Sequence, residues 1–416
     1  MINDGLAFYT GIDAMEPLFP DDPSGELDLL AEDLVKKASA LSSSLHPLTR
    51  EAIADFLRPM NSYYSNLIEG HDTHPIDIEK ALNENYSINS KNSSLQLEAK
   101  AHINLHKIIC DQFKNSDNNP YDANFIKFIH DEFYKHLPED FKTATRKDGT
   151  TIKIVPGEFR NCEVQVGAHV GPYSKNLPSF MKRFEEYYNP KANTHKSQNK
   201  RIISIAASHH RLAWIHPFVD GNGRVIRLFG DACFISEDLH ASGLWSMSRG
   251  LARREKEYKL ALALADSSRR HDYDGRGNLS NQELVNFCKF FLSTAIDQVA
   301  YMASILNTDT MLNRIHKFVD LMVAKQKLKD ESRYILETVF LKGKIAKKEI
   351  ERITGKSDKT AKSIADSLLS MGLLKVDTTT KFSPYEVNYP ITFSTILISG
   401  LYPNAKEIDI LNEILE

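Results

Sequence analysis

His216-Pro217-Phe218-Val219-Asp220-Gly221-Asn222-Gly223-Arg224-Val225-Ile226-Arg227 puts a titratable base, a carboxylate, two glycines around an amide and two arginines into one short segment. Before it, Ile202, Ile205, Ala206, His209, Leu212 and Ala213 recur at helical spacing. Pro217 and Gly221 break that pattern, and Val225, Ile226, Leu228, Phe229, Ala232 and Cys233 resume it. The spacing predicts helix, tight loop, helix. Gly221-Asn222-Gly223 then lies at a helix N-terminus, where unpaired N–H groups and the dipole attract an anion. Glycines let the backbone approach a phosphate closely, and Arg224 and Arg227 bring charge that does not titrate away. His216 can take a proton near neutral pH, and Asp220 can hold a hard cation such as Mg²⁺ against phosphate oxygens. Taken singly, each feature also reads as a turn or a structural histidine. Together they supply the parts of a phosphoryl-type transfer.

The surrounding chain bounds this reading. Its 416 residues suffice for a large core and more than one domain. Hydrophobic content of 42% and charged content of 26% are those of a soluble globular protein. A net charge of −3 argues against a whole-surface affinity for nucleic acid but allows a local basic patch. Cys110, Cys162, Cys233 and Cys288 are scattered without C-x-x-C spacing, which favours reduced thiols and a cytoplasmic location. Met1-Ile2-Asn3-Asp4 lacks the look of a signal peptide, and no apolar run is long enough to span a membrane, so no membrane partner is expected.

The twelve-residue segment resembles the signature of the Fic family, whose best-known members transfer AMP from ATP to protein hydroxyls. Every signature position, His216, Pro217, Phe218, Asp220, Gly221, Asn222, Gly223, Arg224 and Arg227, matches. The resemblance implies that His216 deprotonates the target hydroxyl and that Asp220 holds Mg²⁺, or Mn²⁺, between the α- and β-phosphates. It implies that Gly221, Asn222 (with its side chain) and Gly223 form the anion hole and that Arg224 and Arg227 hold the β- and γ-phosphates. Phe218 would anchor the loop in the core.

Upstream, Ser65-Asn66-Leu67-Ile68-Glu69-Gly70 reads as the last turn of a helix closed by glycine. A glutamate there is slightly misplaced, because that end of a helix favours cations. A solvated glutamate is the plain reading. Ser65-x-x-x-Glu69-Gly70 is also similar to the family's inhibitory helix motif, which implies that Glu69 reaches the nucleotide site and pairs with Arg227. Between the two, Thr143 to His169 is β-rich and is expected to form one small hairpin inserted among helices. Pro156-Gly157-x-x-Arg160-x-x-x-Val164-x-Val166-Gly167 resembles the family's flap. That implies target docking by Val164, Val166 and Gly167, in the manner of strand addition. Past the signature, Arg249 to Ala265 reads as one helix, on which the resemblance points to Tyr258 as an adenine contact, with Lys259 departing from the family pattern.

Two motifs invite metals. His102 and His106 lie four apart, as zinc ligands on one helix face do, but lack a third ligand. Asp272 to Glu283 nearly scans as a calcium loop, yet Arg276 stands at its fifth position and Ser280 suits a helix cap better. From Glu331 onward, three short helices and a hairpin beginning near Gly372 resemble a winged helix-turn-helix, with lysines clustered along residues 342–381. Such a surface could meet DNA or protein.

The expected architecture is therefore mainly α. It has an N-terminal arm and helices over 1–60 and a Fic-type helical core with a hairpin flap over 61–312. A winged helix-like part follows over 313–395, with a tail over 396–416. The expected function is a self-inhibited protein adenylyltransferase using ATP and Mg²⁺, acting on a Ser, Thr or Tyr hydroxyl of a protein or of itself. The alternative is a DNA-binding regulator whose Fic core senses nucleotide. Pairing with a second copy is left open.

Overall fold

The computed structural model describes residues 9–114, 118–145, 149–376 and 383–415. Met1 to Asp4 and the tip of the expected wing, 377–382, lie outside the described residues.

Seventeen α-helices are found among the described residues. They are α1 (Glu26–Ser43), α2 (Pro47–Ile68), α3 (Pro75–Leu82), α4 (Ser90–Phe113), α5 (Ala123–Lys135), α6 (Leu177–Tyr188), α7 (Gln198–Ile215), α8 (Asn222–Ser236), α9 (Met247–Arg253), α10 (Glu255–Ala265), α11 (Asn281–Ile305), α12 (Thr308–Ala324), α13 (Ser332–Lys342), α14 (Ile350–Thr354), α15 (Asp358–Ser370), α16 (Ser394–Leu397) and α17 (Asn404–Leu415). The chain is mainly α, as the sequence pattern requires.

The centre is α7, buried nearly all round, from Ile202 through Trp214. A helix apolar on every side needs neighbours on every side, and α6, α8 and α11 supply them. α8 carries Val225, Leu228, Phe229 and Phe234 into the same core. Phe229 packs against Tyr121 and Phe184, with ring centroids 5.5 and 5.9 Å apart. α2 and α4 lie across this pair, and α1 runs along α11.

Three sequence expectations are corrected here. The β-rich insert is two separate two-stranded pieces rather than one hairpin. β1 (Thr143–Thr145) pairs with β2 (Thr151–Lys153), and β3 (Gln165–Val166) pairs with β4 (His169–Val170), both antiparallel. Arg160 separates them, because its side chain is buried on backbone carbonyls instead of continuing a ladder. Arg249 to Ala265 is two helices, broken where Arg254 leaves helical geometry between α9 and α10. Residues 396–415 are no loose tail. Arg249 Nη2 donates to Gly400 O at 2.9 Å, and Tyr64 Oη donates to Leu401 O at 2.8 Å.

In the C-terminal region α13, α14 and α15 stand beside a sheet in which β5 (Lys344–Ile345) and β6 (Leu374–Val376) flank β7 (Tyr385–Val387). All pairings are antiparallel, with Ile345 and Val376 both opposite Tyr385. The two-residue β5 has no periodicity to read, so the hairpin pattern alone was visible in sequence. Asp274, in the near-calcium loop, accepts N–H bonds from Gln282 (2.8 Å) and Arg270 (3.2 Å), and Ser280 caps α11 through Glu283 N (3.2 Å). Among the described residues no three acidic, His or Cys side chains converge as metal ligands, and no helix is long and apolar enough to cross a membrane.

Because Phe229 ties α8 to α6 and to Tyr121, Phe229→Ala should cost about 3–5 kcal/mol by emptying a well-packed site. Urea unfolding followed by circular dichroism would show the lowered midpoint; an unchanged midpoint would contradict this packing.

Candidate active site

α7 ends by a turn that no ordinary residue favours. His216 has φ +49° and follows Ile215 as the helix C-cap, with its N–H still bonded to Leu212 O at 3.1 Å. A non-glycine in the left-handed region carries local strain that the surroundings must hold. Here Arg160 holds it. Its Nε donates to His216 O (2.8 Å), its backbone N to Pro217 O (2.9 Å) and its Nη2 to Pro172 O (2.6 Å). His130 does the same from α5. It stacks on the buried Phe218 with ring centroids 4.0 Å apart, takes the Gly157 N–H on Nδ1 (2.9 Å) and points Nε2 at Asp220 O (3.2 Å). Burial pushes the His130 pKa down to about 4, so the ring stays neutral and one nitrogen can accept while the other donates.

The His216 ring is held neutral. Burial, with His169 and Arg160 nearby, lowers its pKa to about 4, against a hydrogen bond to the Ala213 carbonyl. A ring that donates one N–H to a carbonyl keeps its lone pair on the other nitrogen. At neutral pH His216 is therefore deprotonated and able to take a proton.

Gly221 has φ +79° and is the N-cap of α8. A Cβ there would lie 2.9 Å from Tyr134 Cε2, so both conformation and space demand glycine. The first N–H groups of α8 follow at Asn222, Gly223 and Arg224, and α8 closes its first turn with Val225 N to Gly221 O at 3.0 Å. The Asn222 side chain does not face outward. Its Oδ1 takes the Phe218 N–H (3.0 Å) and its Nδ2 donates to Phe218 O (2.9 Å), so it braces the loop. What Asn222 presents toward an anion is its backbone.

Asp220 is exposed, with the Tyr134 hydroxyl donating to Oδ2 at 3.1 Å. Arg224 and Arg227 are both buried. Arg224 lies over the Phe133 ring at 4.9 Å and reaches Glu98 Oε1 at 3.4 Å, and its buried Nε has no hydrogen-bond partner. Arg227 donates Nε to Ser65 Oγ (2.9 Å), and its Nη2 donates to Ser65 O (2.9 Å) and to Glu69 Oε1 (2.7 Å). Glu69 is the C-cap of α2, and Gly70 after it has φ +84°. A Cβ on Gly223 would collide with Glu69 Oε1. A carboxylate thus lies against the N-terminus of α8. Burial works against its charge, but Arg227, Arg224 and His71 outweigh burial and hold its pKa below the usual carboxylate value. His71 in turn bonds Glu98 Oε2 at 2.6 Å.

Val164, Val166 and Gly167 flank or belong to the short β3–β4 pair, with Val166 51% exposed and Gly167 at φ +61°. His169 fastens β4 to the core through Trp214 O (2.7 Å) and Asp266 (3.3 Å). Tyr258 is buried, its hydroxyl 2.8 Å from His209 Nε2. Its polar end is therefore occupied inside the core rather than presented to a ligand. His102 is buried without a hydrogen-bond partner, and His106 faces Asp231. Arg160, His130, Tyr134 and Glu98 were not singled out as site residues in the sequence. They come from distant segments, and only Arg160 fell inside a motif.

The geometry defines a class: an α-helical protein in which a helix N-terminus and two buried arginines surround a carboxylate, with a histidine at the end of the preceding helix. Residues 120–233 match the family model described as Fic/DOC family. The Protein adenylyltransferase Fic of Drosophila virilis is 46% identical over 80 residues, 19% of this chain and 16% of that protein. That of Drosophila ananassae is 44% identical over the same length. The match thus spans less than a fifth of these curated relatives. A Fic family protein from Desulfovibrio desulfuricans G20 superposes over 90% of this chain and 99% of its own, at 14% identity and a TM-score of 0.51, which shows a shared fold.

Because His216 is depressed, its ring should titrate with a midpoint near 4 rather than the usual value near 6.5. The unfolded chain binds this proton first, so His216 adds stability above about 6.5 that is lost as pH falls toward 4. Nuclear magnetic resonance titration of the histidine Cε1–H signals checks the midpoint; a value above 6 would contradict the site described.

Proposed function

We propose that this chain is a protein adenylyltransferase that moves AMP from ATP to a Ser, Thr or Tyr hydroxyl of a target protein or of itself, and that Glu69 restrains it. The observation that carries this reading is a neutral histidine placed beside an anion site that a carboxylate already fills. The substrate hydroxyl oxygen bonds to the α-phosphorus, the bond from that phosphorus to the bridging oxygen breaks, and pyrophosphate leaves in line. The hydroxyl proton passes to His216. Backbone N–H groups of Asn222 and Gly223 would face the phosphates, with Arg224 and Arg227 on the β- and γ-groups. The orphaned Arg224 Nε and the Glu69 carboxylate over Gly223 both fit a polyanion in this place. Asp220 would hold Mg²⁺ or Mn²⁺, which neutralises charge on the phosphates when bound. Val164, Val166 and Gly167 would line up the target's backbone. The Drosophila relatives are protein adenylyltransferases, which is consistent with this chemistry.

While Glu69 holds Arg227, the γ-phosphate lacks its clamp, and a misplaced α-phosphorus loses orders of magnitude in rate. We read α13 to α15 and the three-stranded sheet as a winged helix. Around a shallow depression on α15, however, Lys359 and Lys362 are mixed with Asp358 and Asp366. That mixture gives a nucleic-acid backbone little to hold, so catalysis is preferred over the DNA-binding alternative.

The test compares the parent chain, Glu69→Gly and His216→Ala with α-labelled and γ-labelled ATP. Glu69→Gly should incorporate far more α-label than the parent and no γ-label. His216→Ala introduced into Glu69→Gly should lower transfer about 10²- to 10⁴-fold. Equal labelling of parent and Glu69→Gly would refute the restraint, and γ-label on protein would refute AMP transfer. In the same assay chelator should abolish labelling of Glu69→Gly; undiminished labelling in excess chelator would remove the metal role of Asp220.

A further inference from the structure

Behind the anion site lies a polar cluster that the transfer reaction does not use. Cys110 sits near the C-terminal end of α4, its Sγ 3.9 Å from Nδ1 and 4.0 Å from Nε2 of His106 one turn earlier. His106 Nε2 lies 3.4 Å from Asp231 Oδ2 on α8, and Asn61 Nδ2 donates to that same oxygen at 3.0 Å. His106 and Asp231 are buried, whereas Cys110 is half-buried. It lies on the wall of a cavity of about 320 Å³ between the start of α2, the end of α4 and the end of α8. Arg58, Lys114 and His240 also line that cavity, together with the acidic Glu51, Asp111 and Asp238.

Only the thiolate form of a cysteine is a nucleophile, and cationic neighbours with partial exposure are what produce it. Here an imidazole stands between a carboxylate and a thiol, so a proton on His106 has a negative partner on either side. Burial opposes that charge, yet Cys110 and Asp231 lift the His106 pKa to about 10. Burial and, less strongly, the Asp231 carboxylate oppose the thiolate, but His106 and Arg58 outweigh them and lower the Cys110 pKa. The fully buried Cys233 and Cys288 go the other way, pushed up by burial. Cys162, half-buried beside the flap, provides an internal comparison.

We propose that Cys110 is a reactive-thiol modification site, open through this cavity to small soft electrophiles and low-molecular-weight disulfides. With a disulfide, the Cys110 thiolate attacks one sulfur and a new S–S bond forms. The old S–S bond breaks, and the other half leaves as a thiolate that takes its proton from solvent. Electrons balance within the exchange, and His106 keeps Asp231 as its partner afterwards. The site is independent of AMP transfer.

The full chain would be alkylated with iodoacetamide from pH 5 to pH 9 and each cysteine followed by peptide mass. Cys110 should react about tenfold or more faster than Cys162 at pH 7, with a rate midpoint below the ordinary thiol value of about 8.5. His106→Gln should raise that midpoint and slow Cys110 at pH 7. Oxidised glutathione should add once, at Cys110, reversibly with reductant, and not to Cys110→Ser. Labelling no faster than Cys162, or a midpoint at or above about 8.5, overturns the proposal. Should His106→Gln not fold, the parent's own pH profile and the glutathione adduct still decide.

Discussion

A guanidinium removed from water must be given an anion, and Arg227 is 4% exposed in the middle of α8. The chain meets this need with the Ser65 carbonyl and hydroxyl and the Glu69 carboxylate, all from the last turn of α2. That requirement places α2 across the N-terminus of α8 and brings Glu69 over Gly223. It also fixes which chemistry the spot tolerates, because any group replacing the carboxylate must be anionic and able to lie on a glycine backbone. Arg224, one turn earlier, has the same problem and solves it differently, with Glu98, the Phe133 face and an Nε left unpartnered. The two arginines are thus held in place by groups of the chain itself, although the buried Arg224 Nε has no hydrogen-bond partner.

Around them the loop from His216 to Gly221 is anchored in the apolar core by Phe218, with Val219 packed against it. It keeps a strained backbone because Arg160, His130 and Asn222 each bond to its main chain. These three residues hold the loop in position without offering an outward polar group themselves. Their burial makes them expensive to alter, since losing any one leaves carbonyls or N–H groups unpaired in the core.

The site was legible in sequence where its parts are contiguous. A helix–loop–helix rhythm and a dense run of His, Asp, Gly, Asn and Arg announce an anion site from residue types alone. Glu69 was legible as an oddity, a carboxylate at the wrong end of a helix, and the pairing with Arg227 supplies its physical reason. Arg160, His130, Tyr134 and Glu98 were not legible in this way, because a buried polar residue has no signature until the chain shows what it is bonded to. The same blindness explains Tyr258 and the Asn222 side chain, whose hydrogen bonds turn inward, to His209 and to the Phe218 backbone. It also explains the hairpin. Alternation in the insert predicted strands, but a buried arginine between two short ladders interrupts what periodicity alone would join.

On the proposed function, asymmetry in burial decides how the Glu69–Arg227 contact would act as a latch. Arg227's side chain is 3% exposed and Glu69's is 33% exposed. Opening the pair therefore returns the glutamate to water cheaply but leaves the arginine short of an anion. Breaking a wholly buried pair costs roughly 3–5 kcal/mol, and partial exposure of one partner reduces that to the order of 2–3 kcal/mol. A phosphate changes the balance, because it supplies the missing anion to Arg227 while also meeting the first N–H groups of α8. Carboxylate and phosphate are then rivals for one charge, and the outcome depends on which can satisfy both the guanidinium and the helix terminus. Ser65 holds Arg227 from the side in either case, so the arginine need not move for the partner to be exchanged. A latch of this kind needs no hinge: a change of anion at a fixed cation suffices.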